Sequence, residues 1–271
     1  MRRTLIILWL ASLLGCSSGA PTTEREKNWV LCNARYPDIQ ACTAIIQSGD
    51  ETAERLSTAY SDRAAGYTIE LRDDDRAIQD SDQAIRLDPK NAAAFNNRAG
   101  AWENKGDYDR AILDFSRSIE LRPSDPLTFN NRGTAYIGKN DYDRAIQNFD
   151  EAIRLNGNFV FAFVNRGFAY NGKKDYQRAI QDFNQALRLE PRNFHALSGR
   201  GFSFLKLGQI DSAITNYDAA LKLEPTYAPS LYGRGLAKQA KGDFAEAGGD
   251  IAAAEVSNPK IVTKFDRFGG D

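Results

Sequence analysis

The sequence predicts an all-α chain of stacked helical hairpins, an α-solenoid, and three observations carry that expectation. Residues of like chemistry recur every 34 positions from about residue 92 onward. Within each step the apolar residues fall at helical spacing on two short segments that face each other. A turn such as Gly106-Asp107 separates the two segments, and a proline closes most steps.

The repeat is explicit in the residues. Phe95, Phe129, Phe163, Leu197 and Leu231 are successive steps of 34, and so are Arg98, Arg132, Arg166, Arg200 and Arg234. Trp102, Tyr136, Tyr170 and Phe204 keep the step, as do Ala111, Ala145, Ala179, Ala213 and Ala247. Phe115, Phe149, Phe183 and Tyr217 do the same, while Pro89, Pro123, Pro191, Pro225 and Pro259 close units, with Gly157 in place of one proline.

One unit shows why this pattern folds as a hairpin. In residues 92–121, Phe95, Ala99 and Trp102 fall at i, i+4 and i+7 on one helical face. Gly106 permits a tight turn, and Asp107 suits the positive end of a second helix. Ala111, Phe115 and Ser118 form the facing stripe, and Pro123 stops that helix because the residue before a proline avoids helical geometry. Small residues let the two helices approach and the aromatics fill the space beside them. A single hairpin of this size leaves its apolar face open, so stacking of copies is required.

Outside the regular array the pattern loosens. Tyr60, Ala65, Tyr67, Ala77, Ala84 and Pro89 form a divergent first unit, with one extra residue in the turn near Leu71-Arg72-Asp73. Residues 29–48 read as a short helical hairpin whose second helix opens at Pro37-Asp38. The expected organisation is therefore a tether over 16–27, a capping hairpin over 28–57, six units over 58–259 and a capping segment over 260–271. In that last segment Ile261, Val262, Phe265 and Phe268 suggest a short helix over the open end of the stack.

The beginning of the chain reads as a targeting signal over residues 1–15. Arg2 and Arg3 precede a mostly apolar run over residues 5–14, too short for the roughly 20 residues that span a bilayer and suited to the apolar region of a secretory signal. In an exported protein the pair Cys32 and Cys42 reads as a disulfide, since their spacing suits neither a CxxC redox motif nor a zinc site.

Charge and side-chain inventory limit the chemistry. Lys and Arg number 35 against 36 Asp and Glu, which argues against a nucleic-acid binder with its basic excess. His195 is the single imidazole, and no nucleophile–His–acid order, phosphate-binding glycine loop or metal-ligand cluster stands out. No enzyme activity, metal or cofactor is expected. The repeating arginines are expected to form a structural ladder, their stems on the aromatics and their heads on Asp80, Asp114, Asn148, Asp182, Asn216 and Asp250. A basic ligand-binding strip is the alternative.

The period of 34 and the order of aromatic, small residue, aromatic, Ala, aromatic and Pro resemble the tetratricopeptide repeat (TPR), over about residues 58–259. The resemblance implies tandem TPR hairpins wound into a right-handed superhelix, with the first helix of each unit lining an inner groove that receives peptides or extended protein segments. Carried over residue by residue, the lining is Ala93, Asn96, Gly100, Glu103 and Asn104, then Leu127, Asn130, Thr134, Ile137 and Gly138. Next come Phe161, Val164, Phe168 and Asn171, then His195, Ser198, Phe202, Leu205 and Lys206, and last Tyr232, Leu236 and Gln239. The lining thus turns from polar to apolar along the chain. Phe161, Val164 and Tyr232 are the expected ligand contacts, whereas Phe168, Phe202 and Leu236 suit either ligand contact or packing between repeats. Asn97, Asn131 and Asn165 match the Asn position of carboxylate-clamp members and are expected to bond a partner's backbone. The clamp's lysine positions hold Ala93, Leu127 and Phe161 instead, which argues against recognition of an acidic C-terminus.

Leu13-Leu14-Gly15-Cys16 resembles the lipobox of bacterial lipoproteins, which implies cleavage before Cys16, acylation of that residue and, with Ser17 following, an outer-membrane lipoprotein facing the periplasm. An ordinary cleaved signal and a soluble periplasmic protein are the alternative. The function implied is a non-catalytic adaptor that holds a protein or peptide at the cell envelope. A carrier of hydrophobic small molecules or glycans, or an accessory subunit of an envelope enzyme, are the rival readings.

Overall fold

The computed structural model describes residues 23–267, within which 15 α-helices follow one another with no strand between them. The signal segment 1–15, Cys16 and Phe268 lie outside these described residues.

The chain enters through a short hairpin. Helix α1 (Glu24–Cys32) opens on a capping box, in which the Thr23 side chain accepts from the Glu26 N–H and the Glu26 carboxylate accepts from the Thr23 N–H. Arg25 and Trp29 donate to one Glu51 oxygen at 2.8 and 3.1 Å, and Arg55 lies 4.3 Å over the Trp29 ring. These ties start the hairpin at Glu24, so the tether expected to run to residue 27 ends sooner. Helix α2 (Ile39–Gln47) is capped by Asp38, and the sulfurs of Cys32 and Cys42 join it to α1 across 4.8 Å between Cα atoms.

Six units follow. They are α3 (Ala53–Gly66) with α4 (Asp74–Leu87), α5 (Ala92–Asn104) with α6 (Tyr108–Leu121), and α7 (Pro126–Gly138) with α8 (Tyr142–Leu155). Then come α9 (Val160–Gly172) with α10 (Tyr176–Leu189), α11 (Phe194–Lys206) with α12 (Ile210–Leu223), and α13 (Ala228–Lys241) with α14 (Phe244–Ser257). The array starts at Ala53, where Thr52 caps α3, and not at 58. The extra residue of the first unit is absorbed by a π-helical turn, Tyr67–Leu71, that ends on Arg72 in the left-handed region at φ 52°. Helix α15 (Ile261–Arg267) follows the last unit.

Four of the second helices, α4, α6, α8 and α10, share one start. Asp73, Asp107, Asp141 and Asp175 each accept from the backbone N–H three residues on and from that residue's own guanidinium, at 2.5–2.6 Å from Nε. A cap of this kind contributes about 1 kcal/mol. The same arginines, Arg76, Arg110, Arg144 and Arg178, lie over Tyr67, Trp102, Tyr136 and Tyr170 of the preceding helix, so cap and turn are clamped together.

The core repeats as the pattern requires. Phe115, Phe149, Phe183 and Tyr217 are fully buried between helices. Their rings take the space that a side chain would need at glycine: a Cβ at Gly133 would lie 2.5 Å from Phe149, and one at Gly233 2.3 Å from Tyr217. Neighbouring first helices touch one another along the stack, with α3 on α5, α7 on α9 and α11 on α13, so they form its inner wall.

The arginine ladder is present, and it has two rungs per residue. Arg98, Arg166 and Arg234 grip Asp114, Asp182 and Asp250 of their own units with both Nε and Nη2 at 2.6–2.8 Å. Arg63 binds Asp80 likewise, and Arg132 and Arg200 place Nε 2.8 Å from Asn148 and Asn216. The remaining Nη1 reaches back to the preceding unit. It meets Asp82 from Arg98, Ser116 from Arg132, Asp150 from Arg166, Asn184 from Arg200 and Asp218 from Arg234, all at 2.5–3.1 Å. This second series, itself in steps of 34, was not anticipated from the sequence. The basic-strip alternative is disfavoured for Arg63, Arg98, Arg166 and Arg234, each of which has all three guanidinium nitrogens bonded to internal partners.

The two kinds of rung differ in what their loss leaves behind. Arg166→Ala strands the buried Asp182 carboxylate as well as Asp150, whereas Arg132→Ala strands only a neutral amide and a hydroxyl. Chemical denaturation is expected to show a loss of roughly 3 kcal/mol for Arg166→Ala and about 1 kcal/mol for Arg132→Ala. Equal losses would contradict this account of the ladder.

Candidate functional site: the inner wall

Along the first half of the wall the side chains are polar and largely occupied with each other. Asn97 Nδ2 donates to the Ser61 carbonyl at 2.9 Å, Asn165 Nδ2 donates to Asn130 Oδ1 at 3.0 Å, and Asn131 Nδ2 lies 3.4 Å from Asn96 Oδ1. Each bond crosses from one unit to the one before it. The expectation that this row holds a partner's backbone is corrected accordingly: its amide donors hold neighbouring first helices in register. Two carboxylates lie in the same region. Burial pushes Glu103 up to about 7, and burial likewise pushes Asp62 up to about 7. Asp62 Oδ2 has no hydrogen-bond partner among the described residues. Asp62 stands where later units carry the Asn row, a substitution visible in the sequence once the extra residue of the first unit is allowed for.

The second half is aromatic. Phe161 is 64% exposed, and Leu127, one unit earlier at the same position, is 49% exposed. His195 continues that position one unit later; it is exposed, with Nδ1 3.2 Å from Tyr227 Oη and its ring against Phe194. Desolvation in this setting holds the imidazole below its ordinary pKa, and burial pushes Tyr227 up to about 12. The three residues make a strip down the starts of α7, α9 and α11.

The other expected contacts are packed. Val164 is only 5% exposed and belongs to the core formed with Phe163, Ala179, Phe183, Ala186 and Ala196, so it faces no ligand. Phe168 stands edge-on to Phe183 of its own unit, with centroids 5.3 Å apart, and lies against α11 of the next, where a Cβ at Gly199 would come within 3.0 Å of its ring. Phe202 is 4% exposed because Phe265 of α15 covers it at 5.2 Å, and Tyr232, half-buried, meets the same Phe265 at 5.0 Å. Sequence spacing put these rings on the inner wall but did not reveal that the chain's own last helix would cover two of them.

Comparison with known proteins agrees with this architecture. The family described as tetratricopeptide repeat matches residues 69–126, 126–159 and 160–193, and the TPR repeat matches 203–242, together more than half of the chain. No curated protein matches the sequence. Among solved structures, a chain of the APC/C hetero-tetramer Cut9–Hcn1 is similar over 91% of this chain, with TM-score 0.73 and 17% identity, and this chain spans 46% of its length. PilW, described as a widely conserved type IV pilus biogenesis factor, is similar over 78% of this chain and 98% of its own, with TM-score 0.69 and 20% identity. The pilF protein of Pseudomonas aeruginosa is similar over 80% of this chain and 97% of its own, with TM-score 0.66 and 19% identity. At these identities the likeness is one of fold.

Glu103 gives the wall a pH signature. Unfolded, it ionises near 4.5; folded, it keeps its proton to about 7. Between those values the folded state binds more protons than the unfolded one, so this residue's contribution falls as pH rises. Glu103→Gln is expected to match the parent in stability below pH 4.5 and to exceed it by roughly 1–2 kcal/mol at pH 8, allowing for the carboxylate's partial exposure. Denaturation curves at the two pH values check this, and a difference independent of pH would refute it.

Proposed function

The chain belongs to the tetratricopeptide-repeat family, and on that premise we propose that it is a protein–protein interaction adaptor that holds a partner segment along its inner wall. The observation that carries the reading is the exposed pair Leu127 and Phe161, repeated at one position of successive first helices. A large apolar side chain gains roughly 1.5–3 kcal/mol on full burial, and the ladder and core keep these two in fixed register. A partner that lays an apolar edge across α7 and α9 covers both. YrrB, similar in fold at TM-score 0.50 and 20% identity, is described as a TPR protein with an unusual peptide-binding site, which is in keeping with this kind of role.

The carrier of hydrophobic small molecules is the second reading: a hollow of 110 Å³ lined by Phe168, Ser198, Gly199, Phe202, Tyr227, Pro229 and Phe265 adjoins one of 490 Å³ that Phe194, Tyr227, Pro229, Ile261 and Phe265 help to line, the larger within the roughly 300–1,000 Å³ of typical small-molecule sites.

As to place, the reading is of an exported protein anchored through Cys16 in the outer membrane and facing the periplasm. It is supported by the charged and apolar start, the Leu-Gly-Cys sequence and the Cys32–Cys42 pair, which suits an oxidising compartment. No helix among the described residues is long and apolar enough to cross a membrane.

Photo-crosslinking from position 161 in cells tests the adaptor directly. A discrete adduct with another polypeptide is expected, and it should vanish when Leu127 is also replaced by Asp. Adducts to the chain itself alone would remove the reading.

A further inference from the structure

The two adjoining hollows at the aromatic end of the array share Tyr227, Pro229 and Phe265 as lining. Phe194 adds a further ring to the larger one, with Tyr227 edge-on to it at 5.0 Å between centroids. Tyr227 is held in place through its hydroxyl, whose oxygen lies 3.2 Å from His195 Nδ1. Ala228, Pro229 and Ile261 supply aliphatic surface.

Two polar groups in this lining lack the partners their surroundings call for. Ser198, 5% exposed, brings a hydroxyl to the smaller hollow, and that hydroxyl has no hydrogen-bond partner among the described residues. Leaving such a group unpaired is unfavourable, and a bound molecule can supply the missing partner. The charged residue lining the larger hollow is Glu224. Its carboxylate accepts from Thr226 Oγ1 at 3.0 Å and meets no Lys or Arg among the described residues. By contrast, Asp80, Asp114, Asp182 and Asp250 each pair with an arginine of the ladder. Ring faces and a carboxylate both attract positive charge, and the apolar remainder suits a ring or alkyl body. The same carboxylate disfavours fatty acids and other anions.

Resting on the small-molecule reading, we infer that the joined hollows bind a small organic amine. Its ammonium group lies at Glu224 beside Phe194 and Tyr227, its apolar ring fills the space beyond, and a hydrogen-bonding group on the ring meets Ser198. Leu127 and Phe161 take no part, so an adaptor role for them is compatible with this one.

The probes are tyramine, phenethylamine and 3-phenylpropanoate, titrated into the 15N-labelled full chain. Tyramine is expected to saturate and to move the amide signals of Ser198, Gly199 and Ala228. Its affinity should exceed that of phenethylamine, which lacks the hydroxyl, by about fivefold, and that of the acid by at least about tenfold. Glu224→Gln should abolish the preference for amine over acid, and Ser198→Ala the preference for tyramine over phenethylamine. Absence of tyramine binding, equal affinity for amine and acid, or preferences that survive these substitutions would overturn the inference. Uncharged N-phenyl-1-naphthylamine separates the two levels: if it binds where tyramine fails, the amine assignment falls and the small-molecule reading stands, whereas binding of no probe removes both. Phe161→Ser should leave tyramine affinity unchanged, so this test is independent of the crosslinking at position 161.

Discussion

Each regular unit is fastened by a guanidinium that reaches in two directions. Its Nε, joined by Nη2 where a carboxylate is available, holds the second helix of its own hairpin, and its Nη1 holds the second helix of the hairpin before. The planar fork makes this possible, because five donors in fixed geometry can serve two partners 32 residues apart in sequence, as Asp150 and Asp182 are for Arg166. Burial works against the charge on Arg166, but the two carboxylates more than offset it and raise its pKa. The stem lies against Phe163, and the guanidinium carbon of Arg166 is 5.6 Å from that ring's centroid, so the same residue contributes packing and pairing. Hairpin closure and hairpin stacking are therefore coupled through one side chain per unit.

That coupling shapes what the inner wall can offer. With the stack fixed from its outer layers and across the Asn row, position-equivalent residues of successive first helices line up at regular intervals. Where those residues are polar, as at Ser61, Asn96 and Asn130, they bond to one another or to their neighbours. Where they are apolar, as at Leu127 and Phe161, they have no such use and stand in solvent. Toward the end of the array the rings of Phe168, Phe202 and Tyr232 are too many to leave uncovered, and neighbouring rings and α15 cover them in part.

Much of this was legible in the sequence, and what was not has physical reasons. The step of 34 located the hairpins, the buried Phe115–Phe149–Phe183–Tyr217 series and the intra-unit rungs, because these depend on spacing within a unit. The inter-unit rungs were in the sequence too, but their residues run Asp82, Ser116, Asp150, Asn184 and Asp218, and mixed chemistry conceals a shared hydrogen-bonding role. The start of α1 was signalled by Thr23 and Glu26, a capping box that the lack of apolar periodicity around it obscured. Within the candidate site, periodicity placed Phe202 and Val164 on one face, yet exposure depends on what else arrives there. For Val164 that is the adjoining unit, and for Phe202 it is a helix more than 50 residues later.

The claim that one arginine ties two units together is tested most directly by a double-mutant cycle on Arg166 and Asp150, with stability measured by chemical denaturation for the parent, each Ala variant and the double variant. Asp150 is about half exposed, so the expected coupling is about 0.5–1 kcal/mol. Strictly additive losses would contradict the account.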